Sequence, residues 1–576
     1  MIVYSDRQRS EDPRILLERL LRGLGGSSPD ASALLIEAGM LEAGVVDAVS
    51  PSEDCGDGLP ARLGAAMLHL ALAARGDRGH LASAPNLFAD VAPHLPPGPV
   101  AVSEPEGFAF YALYPETYAG AARRFLEAER PESTVVVGLR SIGTTLSAVV
   151  AAELVAAGIP TERFTVRPRG HPWDRELRLS PDLAANLASA QHVLVVDEGP
   201  GISGTSFACV AEAALAAGVP GGRIHLFPSW NCDGSGLRSE RARAIWPQVK
   251  RWTVSYEETF LDSGRLAANW GGGTLRDLSG GLWRGAAYPD EARWPAVQPQ
   301  HERRKYLLEQ EDGTRLLLKF VGLGERGHRM LARAERQAAA GLAPPVHGLR
   351  DGVLALGWLD GSPADAKGRW GLAQRPAKGD AAVWTGAMAR HLAHLVAEPM
   401  GPERLEPVRF DDILAMTRLN VAEGLGEDEV GSTVWMDRMR SAVEARPAVA
   451  VDGRMLPHEW LWTAEGPRKC DGLDHHDDHF WPGTQDIAWD LAGAMVEWGF
   501  DAETREQLLA GFEALTGDLG ARQVLPFHEA AYLAWRLGYT SLAAETLGDS
   551  DDGQRMARDR DVYADLLRAA LERGGA

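Results

Sequence analysis

VLVVDEGPGISGTS, residues Val193 to Ser206, decides how the first half of the chain is read. Four consecutive β-formers, Val193 to Val196, make a strand buried on both faces. Two acids follow, Asp197 and Glu198. Then comes a loop of small residues, Gly199 to Thr205, and an alanine-rich stretch, AEAALAAG, of helical character. Such a loop presents backbone amides and the positive end of a helix to an anion. The two carboxylates are suited to accept hydrogen bonds from hydroxyl groups. The segment therefore suits a polyhydroxylated phosphate ester. Gly201, Ile202, Ser203, Gly204, Thr205 and Ser206 are the candidate phosphate-binding residues.

The surrounding sequence repeats the pattern. Residues 134–147, TVVVGLRSIGTTLS, form another strand, loop and helix. Strands are predicted at VVVGL, FTVRP, HVLVVDE and RIHLFPS, with helices near 115–128, 144–157 and 205–217. That alternation predicts a parallel α/β sheet over residues 96–262. In open sheets of this class, ligands bind beyond the carboxyl ends of the strands. Gly138, Leu139, Arg140 and Ser141 lie at such an end. Arg140 there offers charge-assisted donors to a diphosphate; an ordinary βα turn with a surface arginine fits the same residues. Between the two loops, TVRPRGHPWDRELRLS (165–180) carries Arg167, Arg169, Arg175 and Arg178. It reads either as a mobile arginine-rich lid near Arg140 or as a solvated hairpin.

Taken together, the acid pair, the following Gly204-Thr205-Ser206 and the earlier loop resemble the type I phosphoribosyltransferase family. The resemblance departs at Ile202 and Ser203, where that family usually has Thr and Gly. It implies a transferase that binds phosphoribosyl pyrophosphate and Mg²⁺. Asp197 and Glu198 would then hold the ribose hydroxyls, Gly201 to Ser206 the 5′-phosphate, and Gly138 to Ser141 with Arg140 the diphosphate under an Arg167 and Arg169 lid.

The chain has 576 residues, 45% of them apolar and 7% aromatic, with a net charge of −21. These values describe folded domains with full cores. The negative balance argues against a broad nucleic-acid surface. No apolar run reaches membrane-spanning length, and the first residues carry no apolar signal stretch. Cys55, Cys209, Cys232 and Cys470 are widely spaced and form no metal or redox motif, which suggests a reducing, cytoplasmic setting. Residues 1–95 show helical periodicity in PRILLERLLRGL, ASALLIEAGMLEAGVVDAV and ARLGAAMLHLALAARG. Residues 263–300, rich in Gly, Trp and Pro, read as a linker.

From His301 the pattern changes. RRKYLLEQEDGTRLLLKFVG is a hairpin that ends on Lys319. A helix with Glu335 follows, then a second hairpin that leads to Gly357-Trp358-Leu359-Asp360-Gly361. This order resembles the N-lobe of protein-kinase-like folds, in particular the aminoglycoside phosphotransferase and choline kinase group. The resemblance implies a nucleotide site with Lys319 on ATP phosphates, Glu335 paired to it, and 357–361 as the hinge. LPHEW (456–460) is the nearest candidate catalytic loop, without the His-Gly-Asp of that group. Asp471 would be the metal-binding aspartate, and Asp486 and Asp490 resemble the helix start that follows.

The dense run Asp471, Asp474, His475, His476, Asp477, Asp478 and His479, flanked by Phe480 and Trp481, holds at most three or four residues that can face one ion. Asp471, Asp474 and His475 are the candidate metal ligands; a polar loop that caps the next helix fits as well. The expected architecture is α/β: a helical N-terminal segment, a parallel-sheet phosphoribosyltransferase-like domain, a linker, and a C-terminal kinase-like α+β domain over 301–576. The function implied is phosphoribosyl transfer fused to a divergent kinase. A small-molecule kinase or a nucleotide-sensing regulator are the alternatives.

Overall fold

A computed structural model describes residues 1–4, 8–27, 29–364, 378–398, 407–480 and 483–575. The chain divides into two compact units. One comprises residues 7–272 with 322–326, the other residues 1–6, 273–321 and 327–576.

In the first unit, β1 (Gln8–Glu11) pairs antiparallel with β2 (Val100–Ser103). The main sheet has five parallel strands: β3 (Thr134–Leu139), β4 (Thr161–Val166), β5 (His192–Val196), β6 (Ile224–Phe227) and β7 (Lys250–Arg251), in the order β4-β3-β5-β6-β7. Its strands are apolar without alternation because both faces are covered. Val136, Leu194, Val196 and Phe227 enter one core, together with residues from the helices Ala31–Val49 and Ile142–Ala156. Val135, Val137, Val193, Val195 and Leu226 enter another, with the helix Thr205–Ala216. The period of two in each strand sends neighbours to opposite faces. Chain order reverses between β3 and β5, so their C-terminal ends flank the switch point of the sheet.

The second unit opens with a five-stranded antiparallel sheet. Its strands are β8 (Thr274–Asp277), β9 (Lys305–Glu309), β10 (Arg315–Phe320), β11 (Val346–Arg350) and β12 (Val353–Gly357), in the order β11-β12-β10-β9-β8. The stretch expected as a linker thus supplies the edge strand β8, which pairs with β9 along Leu275–Leu308 and Arg276–Leu307. The helix Gly324–Ala339 follows the hairpin as expected. A second small sheet joins β13 (Ser362–Pro363), β14 (Trp460–Thr463) and β15 (Gly466–Lys469). The remainder is helical, built around Gly520–Leu547, whose residues are buried along most of their length against Ala488–Glu497 and Asp551–Gly575. The first residues of the chain belong here. Val3 is part of this helical core, and Asn420 holds Ile2 through both its backbone N–H (2.7 Å) and its carbonyl (3.0 Å).

Among the described residues no helix is long and apolar enough to cross a membrane.

Candidate active site

Cross-strand register places Lys319 of β10 opposite Lys305 of β9. Both ammonium groups reach a cleft that is bounded on one side by Gly357, Trp358 and Leu359 and on the other by Glu459, Asp471 and Asp474. The cleft encloses about 1240 Å³ with its open mouth included, enough for a nucleotide.

Lys319 is 3% exposed and donates to Asp471 Oδ1 at 2.6 Å and to Asp474 Oδ1 at 2.8 Å. Lys305 donates to Asp471 Oδ2 and to Glu302 Oε2, each at 3.3 Å. Arg303 reaches Asp474 at 3.2 Å and Asp478 at 2.8 Å. Burial opposes ionisation of Asp471, but Lys319 and then Lys305 outweigh it and hold the carboxyl well below the usual range. The same balance, with Lys319 and Arg303, holds Asp474 low. Lys319 is raised despite its burial, by Asp471 and Asp474. The group is therefore a charged, mutually stabilised cluster lining the cleft.

The loop before β14 is anchored from behind. Asp490 is fully buried and accepts the backbone N–H of Asp452 at 2.6 Å and of Gly453 at 2.8 Å. Burial, then the Asp452 charge, pushes Asp490 up to about 7. Asp452 is itself fully buried, takes a hydrogen bond from His391 Nε2 at 2.8 Å, and lies 3.4 Å from Lys469. Lys469 donates to Glu459 at 2.7 Å. Glu459 lines the cleft, near the end of the LPHEW segment expected as the catalytic loop. Arg454, five residues earlier, lines it as well.

Glu335 does not meet Lys319. It is exposed, whereas Met330, Arg333, Ala334 and Gln337 form the buried stripe of the same helix. Their three- and four-residue spacing leaves position 335 on the opposite side. Lys319 finds its carboxylates in the Asp471–Asp474 loop instead. Arg333 turns inward, donates to the Ala450 carbonyl at 3.0 Å and lies 3.0 Å from His476 Nδ1.

The seven-residue acidic and histidine run divides. Asp471, Asp474 and His475 have donor atoms within 4.8 Å of one another, and so do Asp452, Glu459 and His475. Asp477 faces Arg329 at 3.6 Å, and Asp478 bonds Arg303 and His479. The carboxylate oxygens of Asp471 and Asp474 match the hard-oxygen preference of Mg²⁺. Trp481 lies outside the described residues.

In the first unit, the sequence-derived residues cluster at the C-terminal ends of β3 and β5, but several are already engaged. Arg140 is buried. Its guanidinium bonds Asp47 at 2.8 Å, the Thr165 carbonyl at 2.9 Å, and Asp54. Arg167 pairs with Asp47 and donates to the Arg140 carbonyl at 2.7 Å, and Arg169 pairs with Asp54 at 2.9 Å. Arg167 and Arg169 are near Arg140, as expected, but they are fixed to the end of the helix Ala31–Val49 and the segment after it rather than carried on a free lid. Arg175 donates to the Gly170 carbonyl at 2.8 Å, and Arg178 is exposed beside Glu176. The expectation of an arginine presented to a diphosphate overlooked this pair of aspartates, which come from a segment without any motif.

Gly138 is required by packing. A Cβ there would lie 2.3 Å from Ser147 Oγ and 2.4 Å from the Gly143 carbonyl. Leu139 is buried, and Ser141 is partly exposed next to the helix Ile142–Ala156. Gly204 takes φ +71° where the helix Thr205–Ala216 begins. Thr205 is buried, and its hydroxyl donates to the Pro172 carbonyl at 2.6 Å and lies 3.1 Å from Ser203 Oγ. Gly201 and Ile202 are exposed, and Ser206 is partly so. Asp197 and Glu198 remain recessed at the end of β5. Burial pushes Asp197 up to about 7, and burial followed by the Asp197 charge pushes Glu198 up to about 8.

No family model matches the chain, and no curated protein matches it. Solved structures do. A choline/ethanolamine kinase family protein from Mesorhizobium loti is 19% identical with a TM-score of 0.33, over 47% of this chain and 89% of that one. A choline kinase from Streptococcus pneumoniae is 12% identical with a TM-score of 0.33, over 46% and 89%. A macrolide 2′-phosphotransferase from Brachybacterium faecium is 19% identical with a TM-score of 0.29, over 54% and 98%. These proteins are kinases or phosphotransferases, and none is a phosphoribosyltransferase. The similarity falls on the kinase-like half of the expectation.

Proposed function

We propose that the C-terminal unit is a small-molecule phosphotransferase that uses a nucleoside triphosphate. The observation that carries this reading is the Lys319–Asp471 pair at 2.6 Å, inside a cleft whose rim is the Gly357–Leu359 backbone. Lys319 and Lys305 suit the negative charge of a triphosphate, and the partly buried rim Gly357–Leu359 lines the same cleft. Mg²⁺, held through Asp471 and Asp474, would neutralise charge on the transferring phosphoryl group.

In the reaction, an acceptor hydroxyl oxygen donates a lone pair to the γ-phosphorus. The new O–P bond forms as the bond to the β,γ-bridging oxygen breaks, and the diphosphate leaves with that electron pair. We assign the hydroxyl proton to Glu459, which with Glu302 lines both the cleft and the chamber beside it. Burial raises its proton affinity, which suits a base. Phosphoryl transfer rests chiefly on positioning and charge stabilisation.

Calorimetry with ATP and Mg²⁺, together with ADP release in the presence of candidate acceptors, tests the reading. Saturable ATP binding that Lys319→Met removes supports it. Absence of ATP binding overturns it, and ATP binding without ADP release for any acceptor reduces it to nucleotide sensing.

The first unit supports a second reading, a site for a phosphorylated sugar. The supporting observation is the acid pair Asp197 and Glu198, recessed at the switch point of a parallel sheet beside the start of the helix Thr205–Ala216. Titration with ribose 5-phosphate and with phosphoribosyl pyrophosphate tests it, and no heat from either rejects it.

A further inference from the structure

A second chamber, about 520 Å³ with its open mouth included, adjoins the nucleotide cleft and shares His301, Glu302, Arg454, His458 and Glu459 with it. The charges on its wall are unequal in one respect. Glu302 is matched by Lys305, Glu459 by Lys469, and Arg536 by Glu497 at 3.0 Å. Asp559 is engaged as well. Arg454 is not matched. Its Nε is buried and makes no hydrogen bond, and among the described residues no carboxylate pairs with its guanidinium; its neighbour is the face of Tyr539 at 5.8 Å. Arg454 is partly buried; the charges of Asp478 and Glu459 favour its cation but form no ion pair with it, so its guanidinium keeps donors for a ligand anion.

A second buried group points the same way. Gln298 is 3% exposed, lines the same chamber, and has a side-chain oxygen without a hydrogen-bond partner. Native proteins seldom leave such a group unsatisfied. An amide there is suited to a ligand hydroxyl, in either of its two orientations.

From Arg454 and Gln298 together we infer that this chamber binds the acceptor, and that the acceptor is a small hydroxylated anion, either a hydroxy acid or a polyol phosphate. The inference rests on the phosphotransferase reading above. Arg454 lines the chamber five residues before Glu459. A guanidinium there orients a carboxylate or a phosphate through paired donors. It repels an ammonium. The anion is held at Arg454, and a hydroxyl of the same molecule faces Glu459.

The test is isothermal titration of the full chain with three probes: D-glycerate, glycerol 3-phosphate and choline. Saturable binding of glycerate or of glycerol 3-phosphate is expected, and which of the two binds identifies the anion. Arg454→Gln should weaken it at least tenfold, and Arg454→Lys should retain part of it. Choline binding without anion binding, or equal anion affinity in Arg454→Gln, overturns the inference. If Arg454→Gln does not fold, Gln298→Glu sets a carboxylate in the same wall and should also weaken the anion tenfold; unchanged affinity there overturns it equally. ATP with Mg²⁺ is titrated separately. Failure of that titration removes the phosphotransferase reading, while the anion titrations still decide whether the chamber is an anion site.

Discussion

Lys319 and Asp471 are 152 residues apart in sequence and 2.6 Å apart in the cleft. One ends a hairpin strand and the other begins an acidic loop. Their meeting joins the antiparallel sheet to the helical part of the same unit.

Lys319→Met should therefore do two things. It should abolish ATP binding in calorimetry. It should also destabilise the unit by about 3–5 kcal/mol in urea unfolding, because Asp474 is left buried with one cation fewer. Adding Asp474→Asn to Lys319→Met should recover part of the stability and none of the binding.

Glu335→Ala should change stability by less than about 0.5 kcal/mol and leave ATP affinity unaltered, since the side chain is exposed. Arg333→Ala, two residues earlier on the buried stripe, should cost about 2–4 kcal/mol by stranding its partners. Thermal melts of the two variants side by side distinguish an exposed glutamate from one that anchors a lysine.

Arg140→Met should lower stability by about 3–5 kcal/mol, because Asp54 is fully buried and Arg140 supplies one of its two guanidinium partners. Arg178→Ala, with an exposed partner, should change it by less than about 0.5 kcal/mol. Equal effects in denaturant melts would show that the buried network adds nothing.

Asp197 and Glu198 give a pH signature. Their folded-state values, about 7 and about 8, lie above the ordinary 3.8 and 4.5. Between about pH 4 and 8 the folded protein holds protons that the unfolded chain has released, so stability falls as pH rises. Asp197→Asn with Glu198→Gln should remove that slope. The variant and the parent should coincide near pH 4, and the variant should be the more stable at pH 8. Denaturant melts at the two pH values measure it.

The parallel strands were legible because burial on both faces writes itself as uninterrupted Val and Leu, as in TVVVGL and HVLVV. The hairpin ending on Lys319 was legible from Asp312-Gly313 and alternating apolar residues. What stayed hidden depends on long-range pairing. Asp47, near the end of a periodic helix, and Asp54, in the loop after it, carry no motif, yet they take the arginines that were assigned to a ligand. β8 was concealed by the glycines and tryptophans around it, which read as linker composition, although an edge strand needs only one neighbour to form. Arg454 was missed because the loop was sought by residue type, whereas its place is fixed by the backbone N–H groups that Asp490 accepts.

The lodging of Ile2 and Val3 in the helical core has a consequence for synthesis. These residues leave the ribosome well before Asn420 and the rest of their pocket, which emerge hundreds of residues later. Until then an apolar segment waits without its seat while residues 8–272 have already been made. A fragment that starts at residue 273 would carry a vacant slot beside Asn420 and should be less soluble and more easily cleaved by protease than the same fragment supplied with a peptide of residues 1–4. An affinity tag fused ahead of Ile2 lengthens the very segment that must be threaded home last.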